Sequence, residues 1–134
     1  MGTDTDNVAR ARRYISAVES GTTGDALAGF FAPNFVQEEF PNRLMPHGAR
    51  RDLAAVLEGA ERGQEFMRDQ RYEIHSALGV GDRVALEIEW SGTVKKTVGP
   101  LAEGTTLKAR IAIFLEFQGG KIVSQRNYDC YEPW

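Results

Sequence analysis

The chain has 134 residues, of which 42% are hydrophobic and 26% charged, and its formal net charge is −3. Such a chain is typical of one soluble globular domain over residues 1–134, and its charge gives no reason to expect nucleic acid or an anionic membrane as partner. The single cysteine, Cys130, excludes an internal disulfide and fits a reducing cytoplasm. The absence of a long apolar run or a signal-like segment agrees with a cytoplasmic location.

The N-terminal residues predict two helices. Residues 1–6 are polar and expected to be disordered. Asp6 or Asn7 can cap a first helix, which Gly21 to Gly24 end. Its apolar stripe contains Val8, Ala11, Ile15 and Val18, with Tyr14 close beside it. Asp25 can cap a short second helix, Ala26 to Phe31, and Pro33 would stop it.

A short strand and the longest helical pattern follow. Phe35 to Phe40 reads as a strand that carries two adjacent acids, Glu38 and Glu39. Proline, asparagine and glycine then mark a loop containing His47. Residues 49–70 predict a long helix with an apolar stripe. That stripe contains Leu53, Val56, Leu57, Ala60, Gln64 and Met67.

From residue 72 onward the apolar pattern alternates with a period of two, which predicts strands. The candidate strands are Tyr72 to Leu78, Arg83 to Thr93, Leu107 to Phe117 and Ile122 to Tyr131. Three helices followed by long antiparallel strands indicate an α+β fold. Because long strands joined by tight turns curl, the sheet closed by helices should form a cone with room for a ligand. The charged face of the middle strands is interpreted as a solvated or dimer-facing surface.

The last strand has an unusual pattern, because neither of its faces is plainly apolar. One face carries Ile122, Ser124, Arg126, Tyr128 and Cys130, and the other carries Val123, Gln125, Asn127, Asp129 and Tyr131. A strand with polar residues on both faces is interpreted as lining a wet interior.

The order of these elements resembles the nuclear transport factor 2 superfamily, specifically its SnoaL-like and ketosteroid-isomerase-like enzymes. The resemblance rests on RRYISAVESG at Arg12 to Gly21, FFAPNFVQEEF at Phe30 to Phe40, and FLEFQGGKIV at Phe114 to Val123. It implies a cone-shaped α+β half barrel (cystatin-like) with a mixed sheet and three helices. It also implies a homodimer whose pocket lies between the concave sheet and the helices.

The resemblance also implies candidate site residues. Tyr14 matches the first-helix tyrosine that donates a hydrogen bond to the oxyanion in ketosteroid isomerases, and Glu39 falls where their general base lies. Their second oxyanion donor, a protonated acid, falls here on the apolar Ala112-Ile113. SnoaL-type cyclases place a catalytic aspartate where this chain has Asn127, with Asp129 two residues on. The comparison makes the face with Gln125, Asn127, Asp129 and Tyr131 the concave one.

Two carboxylates are therefore the candidate acid and base, with Tyr14 as hydrogen-bond donor. A carboxylate in an apolar cone loses solvation, which raises its pKa and makes it a usable base. For Glu39 the alternative is a surface acid or an ion pair with Arg43 or Arg50, and Glu38 must point the other way. For Asp129 the alternative is a structural acid satisfied by a backbone amide or by Tyr14.

The remaining polar and aromatic residues have weaker signals. The candidate substrate-binding residues are Trp90, Asn127, Tyr131 and His47. His47 either covers the pocket mouth or is simply exposed, and His75 is interpreted as structural. The two histidines have no third ligand at zinc spacing, so no metal is expected. Cys130 lies on the face opposite Asp129, without a histidine partner, which argues against a thiol nucleophile.

The leading hypothesis is a cofactor-independent enzyme that binds a hydrophobic small molecule carrying a carbonyl or epoxide. Proton transfer by the carboxylates would drive isomerisation, cyclisation or hydrolysis. The alternative is a non-catalytic ligand-binding or dimerisation module of the same fold. A protein-transport adaptor is a third hypothesis, for which no sequence feature marks a peptide-binding surface.

Overall fold

The computed structural model describes residues 3–134 and contains one six-stranded sheet. The elements in chain order are α1 (Thr3–Glu19), α2 (Gly24–Ala28), β1 (Phe31–Glu39), β2 (Ala49–Asp52), α3 (Leu53–Phe66), β3 (Met67–Val80), β4 (Arg83–Val94), β5 (Thr106–Gln118) and β6 (Lys121–Tyr131). The strand order is β2-β1-β6-β5-β4-β3; β1 and β6 run parallel, and every other pair is antiparallel. The predicted α+β fold with a curved mixed sheet is confirmed, and the sheet stays open, with β2 and β3 at its edges.

The core lies on one face of the sheet, beneath α1. Alternate residues of β4 and β5 point to this face and are almost fully buried: Val84, Leu86, Ile88, Trp90, Leu107, Ala109, Ile111, Ile113 and Leu115. From the helix side, α1 adds Ala11, Tyr14 and Ile15 to the same core. The period-two pattern of these strands therefore predicted the buried face correctly. Within residues 3–134, no helix is long and apolar enough to cross a membrane.

The first two helices differ from the prediction at their N-terminal ends, and α2 also ends at Ala28 instead of the predicted Phe31. Helix α1 already begins at Thr3, so the expected disorder of residues 1–6 is wrong for residues 3–6, while residues 1 and 2 lie outside the described part. Asn7 is not a cap, because it lies inside α1 and is only 2% exposed. Asp25 lies in the first turn of α2, and the residue before this helix, Thr23, makes no side-chain capping bond.

Strand β1 starts four residues earlier than predicted and includes Pro33. Proline cannot donate a hydrogen bond to a sheet and is tolerated at an irregularity. The pairing of β1 with β6 shifts register between Phe31 and Val36, which is the segment that holds Pro33. The proline therefore interrupts the ladder without ending the strand.

The predicted helix over residues 49–70 is wrong at both ends. Ala49–Asp52 forms β2, an edge strand that pairs with β1 and places Arg51 opposite Gln37. Helix α3 begins after Asp52, whose side chain accepts a hydrogen bond from the Ala55 backbone amide at 2.9 Å. It ends at Phe66, and β3 starts at once with Met67 instead of Tyr72. A capping aspartate inside the pattern was the local signal for this boundary.

Candidate functional site

A cavity of about 460 Å³ lies between the buried face of the sheet and the helices. Its volume is within the range of roughly 300–1,000 Å³ that small-molecule sites occupy. Most of its lining side chains are apolar, namely Ile15, Val18, Leu44, Phe66, Met67, Trp90, Val94, Val98, Leu101, Leu107, Ile111 and Ile113. The polar lining residues are Tyr14, Gln37, Gln70, Tyr72, Gln125, Asn127, Asp129 and Tyr131.

Strand β6 supplies half of these polar groups. It pairs with β5 so that Asp129 lies opposite Ile111 and Asn127 opposite Ile113. Because directly opposite residues share a face of a sheet, the polar side of β6 faces the cavity together with the apolar side of β5. The interpretation of this side as the concave one agrees with the structure.

A chain of hydrogen bonds fixes the inner end of this polar row. The Tyr14 hydroxyl donates to Gln125 Oε1 at 2.7 Å, and Gln125 Nε2 donates to Asn127 Oδ1 at 2.7 Å. Tyr14 and Gln125 are 5% and 3% exposed, so water does not compete for these bonds. Because the Asn127 side-chain oxygen accepts this bond, the Asn127 side-chain nitrogen is the hydrogen-bond donor at the end of this series of bonds.

Asp129 is the one carboxylate among the lining residues of this cavity as the structure describes it. Its Oδ1 atom is buried and has no hydrogen-bond partner within residues 3–134. Burial, reinforced by the negative charge of Glu39, raises the pKa of Asp129 to about 6. The nearby Asn127 side chain and the positive charge of Arg51 oppose this rise in pKa. Unpartnered buried carboxylate oxygens are costly, and they are a common mark of functional sites.

Glu39 does not line the cavity, contrary to its predicted pocket position. Its two carboxylate oxygens are occupied, one by Arg51 Nη1 at 2.9 Å and the other by Asn42 Nδ2 at 2.8 Å. The ion-pair alternative expected Arg43 or Arg50 as partner, whereas the partner is Arg51, because β2 lies beside β1. Glu39 is nevertheless near enough to Asp129 to raise the pKa of that residue.

The other predicted arginine partners are engaged elsewhere. Arg50 approaches Glu38 at 3.8 Å, and the Glu38 side chain is 41% exposed against 14% for Glu39. Glu39 is therefore the more enclosed of the two adjacent acids. Arg43 stacks 4.3 Å from the centre of the Trp134 ring and donates a hydrogen bond to the Trp134 carbonyl.

Three tyrosines, Tyr14, Tyr72 and Tyr131, contribute neutral phenol groups to the cavity wall. Burial, with a smaller contribution from the negative charge of Asp129, raises the pKa of Tyr72 to about 12. Burial also raises the pKa values of Tyr14 and Tyr131. The Tyr72 hydroxyl and the Trp90 indole nitrogen both point to Gln70 Oε1, at 3.4 and 3.1 Å. All three phenols therefore remain protonated at neutral pH.

The structure brings together five of the seven predicted site residues: Tyr14, Trp90, Asn127, Asp129 and Tyr131. Glu39 and His47 do not line the cavity, and His47 is exposed in its loop. Gln125 was not among the predicted site residues, although its place on the polar face of the last strand was a usable signal. Arg51 was missed because it was assigned to a helix.

Two residues considered for other chemistry lie on the outer surface. His75 is exposed, and its Nε2 atom lies 3.0 Å from Glu89 and 3.4 Å from Glu73, so it forms a surface cluster with these two acids. Cys130 is exposed on the opposite face of β6 from Asp129, as the alternation predicted.

The comparisons with known proteins give the family. The model of the SnoaL-like domain family matches residues 11–125, and the chain therefore belongs to this family. No curated protein matches the chain.

Solved structures of low sequence identity share the fold. AclR from Streptomyces galilaeus, a proposed hydroxylase, has a TM-score of 0.79 at 18% identity, over 95% of this chain and 80% of that one. IdmH from Streptomyces antibioticus, a proposed polyketide cyclase, has a TM-score of 0.74 at 21% identity, over 96% and 92%. An epoxide hydrolase of the LEH-like type from M. tuberculosis has a TM-score of 0.73 at 16% identity, over 98% and 86%. At these identities the likeness is one of fold.

Proposed function

We propose that the protein binds a largely apolar small molecule carrying a carbonyl or epoxide oxygen and transforms it by proton transfer at Asp129. The reaction would be an isomerisation, cyclisation or hydrolysis that needs no cofactor. The observation that supports it is the buried, unpartnered Oδ1 of Asp129 in a cavity with mainly apolar walls. Membership in the SnoaL-like family and the cyclase and hydrolase names of structural neighbours agree with this proposal.

Asp129 would act as the general base. With a pKa of about 6 it is mostly ionised at neutral pH, yet it binds a proton far more readily than an ordinary aspartate. It would take the proton from a carbon beside a carbonyl group, or from a water molecule that attacks an epoxide carbon. The same carboxyl group would then return the proton to the product.

A neutral phenol would stabilise the negative charge that develops on the substrate oxygen. Tyr131 is the candidate, because it lines the cavity on the same face of β6 as Asp129, whereas the Tyr14 and Tyr72 hydroxyls donate to Gln125 and Gln70. A protonated phenol donates a hydrogen bond to an oxyanion more strongly than to a neutral carbonyl, so this contact favours the transition state. Tyr14 would fix the orientation of the Gln125 and Asn127 side-chain amides, because its hydroxyl bonds to Gln125, which in turn bonds to Asn127.

A non-catalytic binding module of the same fold is the second candidate. The observation that favours it is that the apolar Ile113 lines the cavity in the region where ketosteroid isomerases carry their second donor. With Glu39 held by Arg51 and Asn42, the cavity also lacks the second carboxylate of the predicted acid and base pair. This module would retain ligands without turnover.

The test is turnover of two simple probes, a β,γ-unsaturated cyclic ketone and styrene oxide, by wild type and by Asp129→Asn. We expect Asp129→Asn to lower the rate by about 10²–10⁴-fold, the usual contribution of a general base. Asp25→Asn is the matched control, because Asp25 is exposed on α2. Binding of an aromatic ketone can be followed in parallel by the fluorescence of Trp90, with Trp134 replaced by phenylalanine.

The two candidates predict different results. Turnover that is lost in Asp129→Asn and kept in Asp25→Asn supports acid and base catalysis. Saturable quenching of Trp90 without turnover of either probe class by wild type supports the binding module. Equal rates for wild type and Asp129→Asn contradict the assigned role of Asp129.

A further inference from the structure

A second concave site is built from cationic residues outside the cavity. It is a groove of about 200 Å³ between α1, the turn before β1 and the turn between β5 and β6. Its lining residues are Arg10, Arg13, Gly29, Phe30, Phe117, Gly120, Lys121 and Ile122, and none of them lines the cavity that holds Asp129. The proposed reaction uses no part of this groove.

The groove carries a cluster of positive charge. Among the residues that the structure describes, three cationic side chains line it, namely Arg10, Arg13 and Lys121, and no carboxylate does. Within the described chain, none of the three forms an ion pair with an acidic side chain. In a protein with a formal net charge of −3, which pairs several of its other arginines with acids, such a cluster is a local positive site.

Two of the three cations are held in position by the fold. Arg10 Nη1 donates a hydrogen bond to Asn7 Oδ1 at 2.9 Å, and Asn7 is almost fully buried. The Lys121 ammonium group donates to the Gly29 carbonyl oxygen, which joins the β5–β6 turn to the segment before β1. The guanidinium group of Arg10 also lies against Gly120, where an added Cβ would come within 3.2 Å of it. This glycine therefore allows the arginine to lie directly on the turn.

We propose that this groove binds a phosphate group. A phosphate monoester carries about two negative charges at neutral pH and several strong acceptor oxygens, which match a cluster of three cations. A carboxylate carries one charge and is commonly satisfied by a single arginine. The half-buried ring of Phe30 at the groove can cover an apolar group attached to the phosphate. The phosphate can come from an ester or from free inorganic phosphate, and these sources are separable by experiment.

The experiment is a titration of ¹⁵N-labelled full-length protein with phenyl phosphate, inorganic phosphate and benzoate. We expect saturable shifts of the Gly29, Gly120 and Lys121 amide signals with phenyl phosphate, and an affinity that falls as salt is added. Arg10→Gln and Lys121→Gln should each weaken binding by roughly tenfold, since each removes a charged hydrogen-bond donor. Arg12→Gln is the matched control; it removes the same charge from the same helix at an exposed position outside the groove, and should change affinity by less than about twofold.

Each outcome bears on the proposal. Tighter binding of phenyl phosphate than of inorganic phosphate identifies an ester as the ligand, and equal binding identifies free phosphate. If benzoate, which carries one negative charge, binds as tightly as phenyl phosphate, the groove does not select a doubly charged phosphate group and the proposal is overturned. The proposal is also overturned if Arg12→Gln weakens binding as much as Arg10→Gln, or if the shifts fall on the walls of the Asp129 cavity. Thermal unfolding of each variant verifies that the lost affinity is not lost folding.

Discussion

Replacing Asp129 with asparagine is expected to stabilise the protein at neutral pH, although it removes the residue on which the proposed chemistry depends. The pKa of Asp129 rises from 3.8 to about 6 in the folded protein, because burial disfavours its charge. The folded state therefore binds the proton more tightly than the unfolded chain, and stability falls as the pH rises between these two values. The difference between the two pKa values corresponds to about 3 kcal/mol. We expect ~1–2 kcal/mol, because solvent reaches part of this side chain and screens its charge.

The assay is urea unfolding of wild type and Asp129→Asn at about pH 4 and about pH 7.5. At the lower pH the carboxyl group is protonated in the fold, and the two proteins should have nearly equal free energies of unfolding. At the higher pH the variant should be the more stable one, while the control Asp25→Asn should change stability little at either pH. A variant that is less stable than wild type at about pH 7.5, or equally stabilised at both pH values, would refute the reasoning from burial.

Three further predictions concern the surroundings of Asp129 and the outer face of the sheet. Glu39→Gln should lower the pKa of Asp129 toward its ordinary value, because it removes a neighbouring negative charge; an unchanged pH dependence of turnover would contradict this. Tyr14→Phe should lower the free energy of unfolding by ~1–2 kcal/mol, because it leaves Gln125 Oε1 buried without its donor; urea unfolding measures the loss, and unchanged stability would argue against the bond. The homodimer implied by the family resemblance stays a prediction: Phe114→Lys, on the exposed outer face, should yield monomers in light scattering, and an unchanged mass would exclude that face as the interface.

The sheet could be predicted well from the sequence because its strands obey a simple alternation. In β4 and β5 every second residue is apolar, and those residues are the buried ones. In β6 the alternation divided the residues between two faces, but each face contains both polar and apolar side chains, so the pattern did not show which face is buried. The choice of the face with Asn127 and Asp129 as the inner one came from the family resemblance, and the structure agrees with it.

The surroundings of Glu39 could not be predicted, because they depend on pairing between segments far apart in the chain. Arg51 reaches Glu39 through the pairing of β2 with β1, and a helical pattern over residues 49–70 hid that short strand. Edge strands of four residues carry too little alternation to be recognised. The Asn42 contact depends on a loop conformation that a sequence pattern does not specify. Local patterns therefore predicted which residues lie on the inner face, but not which charges are neutralised behind it.

The position of α3 illustrates the same limit. Its C-terminal end passes directly into β3, so Phe66 and Met67 both line the cavity from the junction of a helix and a strand. The sequence placed both residues within one helix. Where the apolar residues fit both the helical period of about 3.6 residues and the strand period of two, the sequence pattern cannot locate the junction between helix and strand.

The most direct test of the role of Asp129 is its titration, followed by the ¹³C signal of its side-chain carboxyl group in the full-length protein. Asp129→Asn identifies the signal by its disappearance. We expect a pKa near 6 that rises further when an apolar ketone fills the cavity, since the ligand displaces water from the carboxylate. A pKa of about 4, the ordinary value for aspartate, that does not respond to the ligand would contradict the claim that Asp129 is a buried base in a binding cavity.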